Sequence, residues 1–166
     1  KNARSSTQSF LKINLLYLNA FQYKLDINNI YQSEYIINNN RIINPYSIYT
    51  SIEMGVGLFT KIHFIAYYNC QINQKHKIMA RWYIGGGLFN NESGLGYLQM
   101  SAWDGDSDYR LTHGFLGRDK NHGFLSQQIV NTEGGLKHQT NINSNNFLTT
   151  MNLEYSLHPL FKLYIE

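Results

Sequence analysis

The chain has 166 residues, of which 43% are hydrophobic and 15% are charged. This length suits one domain with a sizeable core and is short for two. The formal net charge is only +3, from 14 Lys and Arg against 11 Asp and Glu, and no run of basic residues occurs, which argues against a nucleic-acid-binding protein. The single cysteine, Cys70, excludes an internal disulfide, and no apolar stretch approaches the length of a spanning helix.

Apolar and polar residues alternate with a period of two through much of the chain. In residues 10–25, for example, Leu11 and Ile13 alternate with Lys12 and Asn14. This period predicts a β-strand of unusual length for a small soluble sheet. The following segment, NNIYQSEYIINNNRIINPYS, reads as short β-branched runs with a turn at residues 38–40.

Three further segments, 46–55, 61–72 and 77–87, show the same alternation and predict a meander of neighbouring antiparallel strands. The triplet Gly85-Gly86-Gly87 is predicted to end the third of them.

The region from about 90 to 146 is rich in Gly, Asn and Ser and predicts a long loop excursion with short strands. Alternation returns at residues 147–156 and again after His158-Pro159, where a tight turn is expected. The sequence therefore predicts an all-β chain of six to eight mostly antiparallel strands and offers no helix with clear start and stop signals.

Two environments produce such strands. In a soluble sandwich the apolar face packs on a second sheet, whereas in a transmembrane β-barrel it meets lipid and the strands need about 9–11 residues. Several segments here reach that length, and tyrosines lie near strand ends, as barrels place them at membrane interfaces. Charged residues also lie inside the strands, where they would face a wet lumen: Lys12, Lys24, Glu53, Lys61, His63, Lys77, Arg81 and Glu154. We predict an antiparallel meander that forms a transmembrane β-barrel or part of one.

Strand and turn phrases in residues 44–166 resemble a known family. They are NPYS, KIHFIAYYN, RWYIGGGLF, FLGR, GFLSQQ, EGGLK and FLTTMNLEYSLHPLFKLYIE. The chain resembles the C-terminal region of large gluzincin-type surface metallopeptidases of Bacteroidetes, in which a segment similar to surface-antigen (haemolysin-secretion type) barrels follows the peptidase part. The resemblance implies a bacterial outer-membrane location, contact with outer-membrane lipid, and other outer-membrane or periplasmic proteins as partners.

Catalysis does not come with this resemblance. None of the six histidines is followed by Glu, so the HExxH zinc signature is missing from this sequence. We therefore expect residues 1–166 to be a single non-catalytic barrel region, a fragment of a longer chain, that serves as anchor, pore or scaffold for an upstream domain.

Arg118, in the phrase FLGR, resembles the arginine of a loop that folds into the lumen of surface-antigen barrels. Its predicted partners are the strand carboxylates Glu53 and Glu154, because a buried Arg needs a nearby acid. The alternative is an exposed turn arginine.

Asp104, Asp106 and Asp108 alternate in the stretch SAWDGDSDYR. An EF-hand would need Gly at position six and Glu at position twelve, where this chain has Tyr109 and Phe115. A looser calcium site, a carboxylate hydrolase site and a solvated acidic loop remain as interpretations; no other cofactor is expected.

A second function class is a soluble β-sandwich that binds carbohydrate or protein through the loops at 90–125. Solubility without detergent would favour it over the barrel.

Overall fold

The computed structural model describes residues 7–18, 28–73, 76–90, 97–100, 116–118, 127–129, 133–136, 142–158 and 161–166. Within them the strands are β1 (Thr7–Leu18), β2 (Asn28–Asn39), β3 (Tyr46–Gly55), β4 (Phe59–Gln71), β5 (Lys77–Asn90), β6 (Leu98–Gln99), β7 (Leu116–Arg118), β8 (Gln127–Ile129), β9 (Asn143–Ser144), β10 (Phe147–His158) and β11 (Phe161–Ile165). The described residues contain no helix, and so none that could cross a bilayer.

Seven of these strands form one sheet in the order β1-β2-β3-β4-β5-β10-β11, with every neighbouring pair antiparallel. The prediction of an all-β antiparallel meander is confirmed. In the described residues β1 and β11 each have one neighbour, so the sheet has two edges. The short strands pair separately as β6 with β9 and β7 with β8, inside the predicted excursion.

The predicted strand boundaries need two corrections. Residues 28–39 are not short runs but one strand of 12 residues, paired along its whole length with β1, and the bend follows at residues 42–44. The glycine triplet does not end β5, which continues to Asn90. Pairing with β4 and β10 holds the glycines in the ladder, which outweighs their weak intrinsic strand preference. The predicted strand at 10–25 is described only to Leu18, and the turn at Pro159 lies outside the described residues.

One face of the sheet, called here the apolar face, is exposed. Ile13 is 74% exposed, Ile52 47% and Trp82 50%, although all three lie inside strands. The register places rows of such side chains side by side, for instance Leu15, Tyr31 and Met54.

The opposite face, called here the polar face, is buried over its centre. It carries Glu53, Lys61, His63, Arg81, Thr150 and Glu154, all of them buried. The sheet thus inverts the arrangement of a water-soluble protein, in which polar side chains face solvent and apolar side chains are inside.

A second, smaller layer lies against the centre of the polar face. This inner layer consists of residues 97–100 and 133–136, and backbone hydrogen bonds from Gly134 to Gln99 and from Leu136 to Met100 join its two parts. Leu98 of the inner layer packs with Tyr83 and Leu148 of the sheet in a small apolar cluster. A further cluster, of Ile30 and Phe59, lies near the start of β2 and of β4.

Candidate functional site: the buried polar face and its inner layer

A buried ion cluster joins the inner layer to the sheet. Lys61 Nζ lies 2.9 Å from Glu133 Oε1 of the inner layer and 3.7 Å from Glu53 Oε2 of β3. Lys61 is 2% exposed and Glu53 0%. The second oxygen of Glu133, Oε2, accepts a hydrogen bond from the backbone N–H of Gln99. The single lysine therefore lies between one carboxylate on the sheet and one on the inner layer.

Strand pairing builds this cluster. Glu53 and Lys61 are direct partners across β3 and β4, and Gln32 faces Glu53 across β2 and β3. Gln32 Nε2 donates to Glu53 Oε1 at 3.0 Å. Opposite charges on directly facing positions stabilise an antiparallel pair, so the register and the ion pair support each other.

His63 extends the cluster toward β5. Its Nδ1 is 2.9 Å from the hydroxyl oxygen of Tyr83, and its Nε2 is 3.8 Å from Glu53 Oε2. The second distance exceeds that of a hydrogen bond, and Nε2 has no hydrogen-bond partner among the described residues.

The side chain of Arg81 binds the backbone of the inner layer. Its Nη1 donates to the carbonyl oxygen of Gly134 at 2.8 Å and to Asn152 Oδ1 at 3.1 Å, and its Nη2 donates to the carbonyl oxygen of Glu133. Its Nε donates to the hydroxyl oxygen of Tyr67 at 3.3 Å. A planar guanidinium can satisfy these separate acceptors at once, which an ammonium group cannot.

Glycines allow the two layers to approach closely. A Cβ on Gly134 would lie 2.4 Å from the carbonyl oxygen of Met100, and one on Gly135 would lie 2.8 Å from Arg81 Nη1. Gly135 also has φ of 66°, a conformation that favours glycine. Thr150 Oγ1 also donates a hydrogen bond to the carbonyl oxygen of Gly134 at 2.6 Å and so helps to fix residues 133–136 on the sheet.

In this arrangement Lys61 pairs with two carboxylates, and the backbone carbonyl oxygens of Glu133 and Gly134 accept hydrogen bonds from Arg81 and Thr150. Burial of charged groups is costly unless they are paired and hydrogen-bonded, and removal of one partner of such a pair is strongly destabilising. The site is therefore suited to holding residues 133–136 against the seven-stranded sheet.

The residues predicted from sequence have different outcomes. Glu53 and Glu154 are both buried on the polar face. Glu53 pairs with Lys61, and Glu154 accepts a hydrogen bond from Tyr164 on β11. Arg118 lies in β7, but its side chain is outside the described part of the structure, so its predicted pairing stays a prediction.

The acidic triplet Asp104, Asp106 and Asp108 also lies outside the described residues, and the calcium interpretation stays a prediction. Among the described residues, no group of three or more His, Cys, Asp or Glu side chains is placed to hold a metal ion.

Glu133 and its two glycines are the part of the site that sequence reasoning did not identify. The alternation of charges within strands placed Glu53, Lys61 and Arg81 on one face, but Glu133 is 72 residues from its partner Lys61 and lies in a Gly-rich segment without periodicity. The local signal was the Glu-Gly-Gly sequence, an acid followed by two residues that permit close approach.

Comparison of the chain with protein-family models, with curated proteins and with solved structures finds no match.

Proposed function

We propose that this chain forms part of the wall of a bacterial outer-membrane β-barrel and acts there as a non-catalytic anchor or scaffold. The observation that carries the proposal is the inversion of the sheet, with exposed rows of aliphatic and aromatic side chains on one face and buried charges on the other.

Water-soluble proteins rarely expose contiguous apolar patches larger than a few hundred Å². The apolar face here runs across all seven strands of the sheet, and its exposed members include Leu11, Ile13, Leu15, Ile52, Met54, Trp82, Met151, Leu163 and Ile165. Lipid hydrocarbon is a favourable environment for such a face, whereas water is not.

Strand length supports the same proposal. The strands β1 to β5 and β10 have 10 to 14 residues each. A tilted transmembrane strand needs about 9–11 residues, and strands of soluble sheets have about 5–6. Tyrosines lie on the apolar face near strand ends, such as Tyr17 in β1, Tyr31 in β2 and Tyr68 in β4.

The alternative of a soluble β-sandwich would require a second protein layer on the apolar face. In the described residues the inner layer lies on the other face, against Lys61 and Arg81. The resemblance to Bacteroidetes surface proteins agrees with the membrane proposal, and any peptidase chemistry would then belong to residues outside this chain.

A matched pair of substitutions tests the proposal. Ile52→Arg places a charge in the middle of β3 on the apolar face, and Ile42→Arg makes the same change at a bend residue that is 94% exposed. In a bilayer, an arginine near the midplane costs about 2–4 kcal/mol. The test uses the whole protein, with every strand of the proposed barrel. We expect Ile52→Arg to block its assembly into liposomes, measured by flotation and protease protection, while Ile42→Arg assembles like the wild type.

A soluble protein would give a different result. If the wild type is monodisperse in buffer without detergent and does not float with liposomes, the membrane proposal is wrong. Equal assembly of the two arginine variants would also contradict it, since the apolar face would then not meet hydrocarbon.

A further inference from the structure

We propose that the buried ion pair between Lys61 and Glu133 matures into a covalent isopeptide bond, formed by the folded chain itself. The bond joins the side-chain nitrogen of Lys61 on β4 to the side-chain carbonyl carbon of Glu133, 72 residues further along the chain. This inference goes beyond the anchor role proposed above. It does not depend on a membrane, because the reacting groups and the neighbours that assist them all belong to this chain.

The two reacting groups are already in contact and are shielded from water. Lys61 Nζ lies 2.9 Å from Glu133 Oε1, and the two residues are 2% and 6% exposed. The ring of Phe59, itself fully buried, has its centre 5.6 Å from the same nitrogen. Reaction needs the attacking and attacked atoms about 3–3.5 Å apart, and an amine at hydrogen-bond distance from a carboxylate oxygen is close to that range for the adjoining carbon.

Glu53 is placed to move a proton during the reaction. Its Oε2 lies 3.7 Å from Lys61 Nζ, and its Oε1 accepts a hydrogen bond from Gln32 Nε2 at 3.0 Å, which leaves Oε2 on the side of the lysine. A general base acts from about 2.6–3.2 Å, so this contact has to shorten by about 0.5 Å for the proton to pass. Glu53 is therefore the catalytic residue of the bond formation.

The inner layer supplies a hydrogen-bond donor for the second oxygen of Glu133. This oxygen, Oε2, accepts a hydrogen bond from the backbone N–H of Gln99. Attack by the amine forms a tetrahedral intermediate whose retained oxygen carries negative charge, and a fixed N–H at that oxygen stabilises it. Arg81 and Thr150 bind the backbone carbonyls of Glu133 and Gly134, which limits the motion of the segment that carries the carboxyl group.

The condensation needs no oxidant or reductant. The nitrogen of Lys61 gives up two protons and forms a bond to the side-chain carbonyl carbon of Glu133. The bond from that carbon to Oε1 breaks, and Oε1 leaves with the two protons as one water molecule. Glu53 takes a proton from the attacking nitrogen and delivers it to the departing oxygen, so it ends in its initial state. The product is a neutral amide in place of two buried ions, whose burial is costly.

A second pair of the same residue types, on the same face of the sheet, gives an internal control. Lys12 Nζ lies 3.3 Å from Glu34 Oε2, but the side chain of Lys12 is 57% exposed and that of Glu34 24%. Water hydrates both ions there and favours the separate amine and acid over the amide. We expect a link at Lys61 and none at Lys12.

Peptide mass spectrometry of the whole protein, isolated folded and then denatured and digested with trypsin, tests the bond. Trypsin does not cleave after an amidated lysine, so we expect one branched peptide that joins residues 42–75 to residues 121–137 and has lost one water molecule. Fragmentation should place the branch at Lys61 and Glu133. Separate peptides 42–61, 62–75 and 121–137 from the folded protein would overturn the bond, as would an equal link between Lys12 and Glu34.

Refolding measures the role of Glu53. The protein is recovered unfolded and unlinked from inclusion bodies and transferred to detergent micelles, and the linked fraction of the protease-resistant chains is followed with time. Glu53→Gln has no carboxylate to take the proton and should link about a hundredfold more slowly than the wild type. Glu34→Gln should link at the wild-type rate, and Lys61→Arg, which keeps the charge without the amine, should not link.

A conservative variant keeps this test decisive if Glu53→Gln does not fold. Glu53→Asp retains the carboxylate but withdraws it from Lys61 by one methylene group, and it should slow the link about tenfold. A wild-type rate in whichever variant folds would overturn the role of Glu53. A wild type that forms the link but does not enter liposomes would contradict the membrane proposal alone, so the two inferences fail separately.

Discussion

At the scale of single residues, the polar face depends on a few side chains whose chemistry cannot be exchanged. Lys61 forms ion pairs with two carboxylates. Arg81 donates hydrogen bonds to two backbone carbonyl oxygens, to the amide oxygen of Asn152 and to the hydroxyl oxygen of Tyr67. Their burial makes each contact matter, because a group left unpaired in this environment has no water to replace its partner.

Replacement of Arg81 by lysine tests whether a planar guanidinium group is needed at this position. A lysine keeps the positive charge but cannot reach Gly134, Glu133 and Asn152 together, so we expect Arg81→Lys to lower the free energy of unfolding by about 1.5–3 kcal/mol. Denaturant unfolding in detergent micelles measures the change. Arg41→Lys, at an exposed position, is the matched control and should change stability by less than about 0.5 kcal/mol. Equal effects of the two substitutions would contradict the role given to Arg81.

Removal of the Lys61 charge should show the coupling inside the ion cluster. Lys61→Met leaves Glu53 and Glu133 buried with no lysine between them, and we expect a loss of about 3–5 kcal/mol in the free energy of unfolding. Denaturant unfolding of the double variant Lys61→Met with Glu53→Gln should recover part of this loss, since one buried negative charge is gone. Strict additivity of the two single changes would show that these groups do not interact.

At the scale of strands, alternation predicted the segments that form β3, β4, β5 and β10, because side chains in a strand point to opposite faces in turn. It did not predict β2 as one strand, since Gln32, Ser33 and Glu34 interrupt its apolar residues. Those polar residues are accommodated by pairing: Gln32 with Asn14 and Glu53, Glu34 with Lys12. Such partners lie on other strands and cannot be found from local sequence.

The glycines of β5 differ from their prediction for a related reason. Their sequence predicts a strand end, but the strand continues and the missing side chains leave room for other segments. A Cβ on Gly87 would lie 1.9 Å from the carbonyl oxygen of Asn145, whereas a Cβ on Gly86 would meet nothing within 4 Å. Only the tertiary structure distinguishes these two neighbours.

This difference gives a prediction for adjacent positions. We expect Gly87→Ala to displace the backbone at Asn145 and Asn146 and to lower stability by about 1–3 kcal/mol, as overpacking does. Gly86→Ala should be neutral or stabilising by up to about 1 kcal/mol, because alanine reduces the entropy of the unfolded chain. Thermal unfolding in micelles compares the two variants, and a larger loss for Gly86→Ala would contradict the close approach at Gly87.

At the scale of the whole molecule, the edges of the sheet limit how a barrel could close. Seven strands with antiparallel neighbours leave β1 and β11 running in the same direction. Pairing of β1 directly with β11 would therefore be parallel, in one copy or between copies related by rotation about the barrel axis. Single-chain bacterial barrels have an even number of antiparallel strands, eight or more, and no open edges in hydrocarbon. The proposed barrel thus requires an odd number of further strands that do not come from a second copy of this sheet.

Chemical cross-linking tests this requirement. In a Cys70→Ser background, the pair Ile13→Cys and Leu163→Cys places one thiol on β1 and one on β11, both at exposed positions of the apolar face. We expect a short bis-maleimide to join them neither within one chain nor between chains, because the added strands separate the two edges. The pair Ile13→Cys and Ser33→Cys lies on directly facing positions of β1 and β2 and should cross-link efficiently as the positive control. A high yield between positions 13 and 163 would show that β1 and β11 meet directly, and the sheet would then close through a parallel seam instead of through further strands.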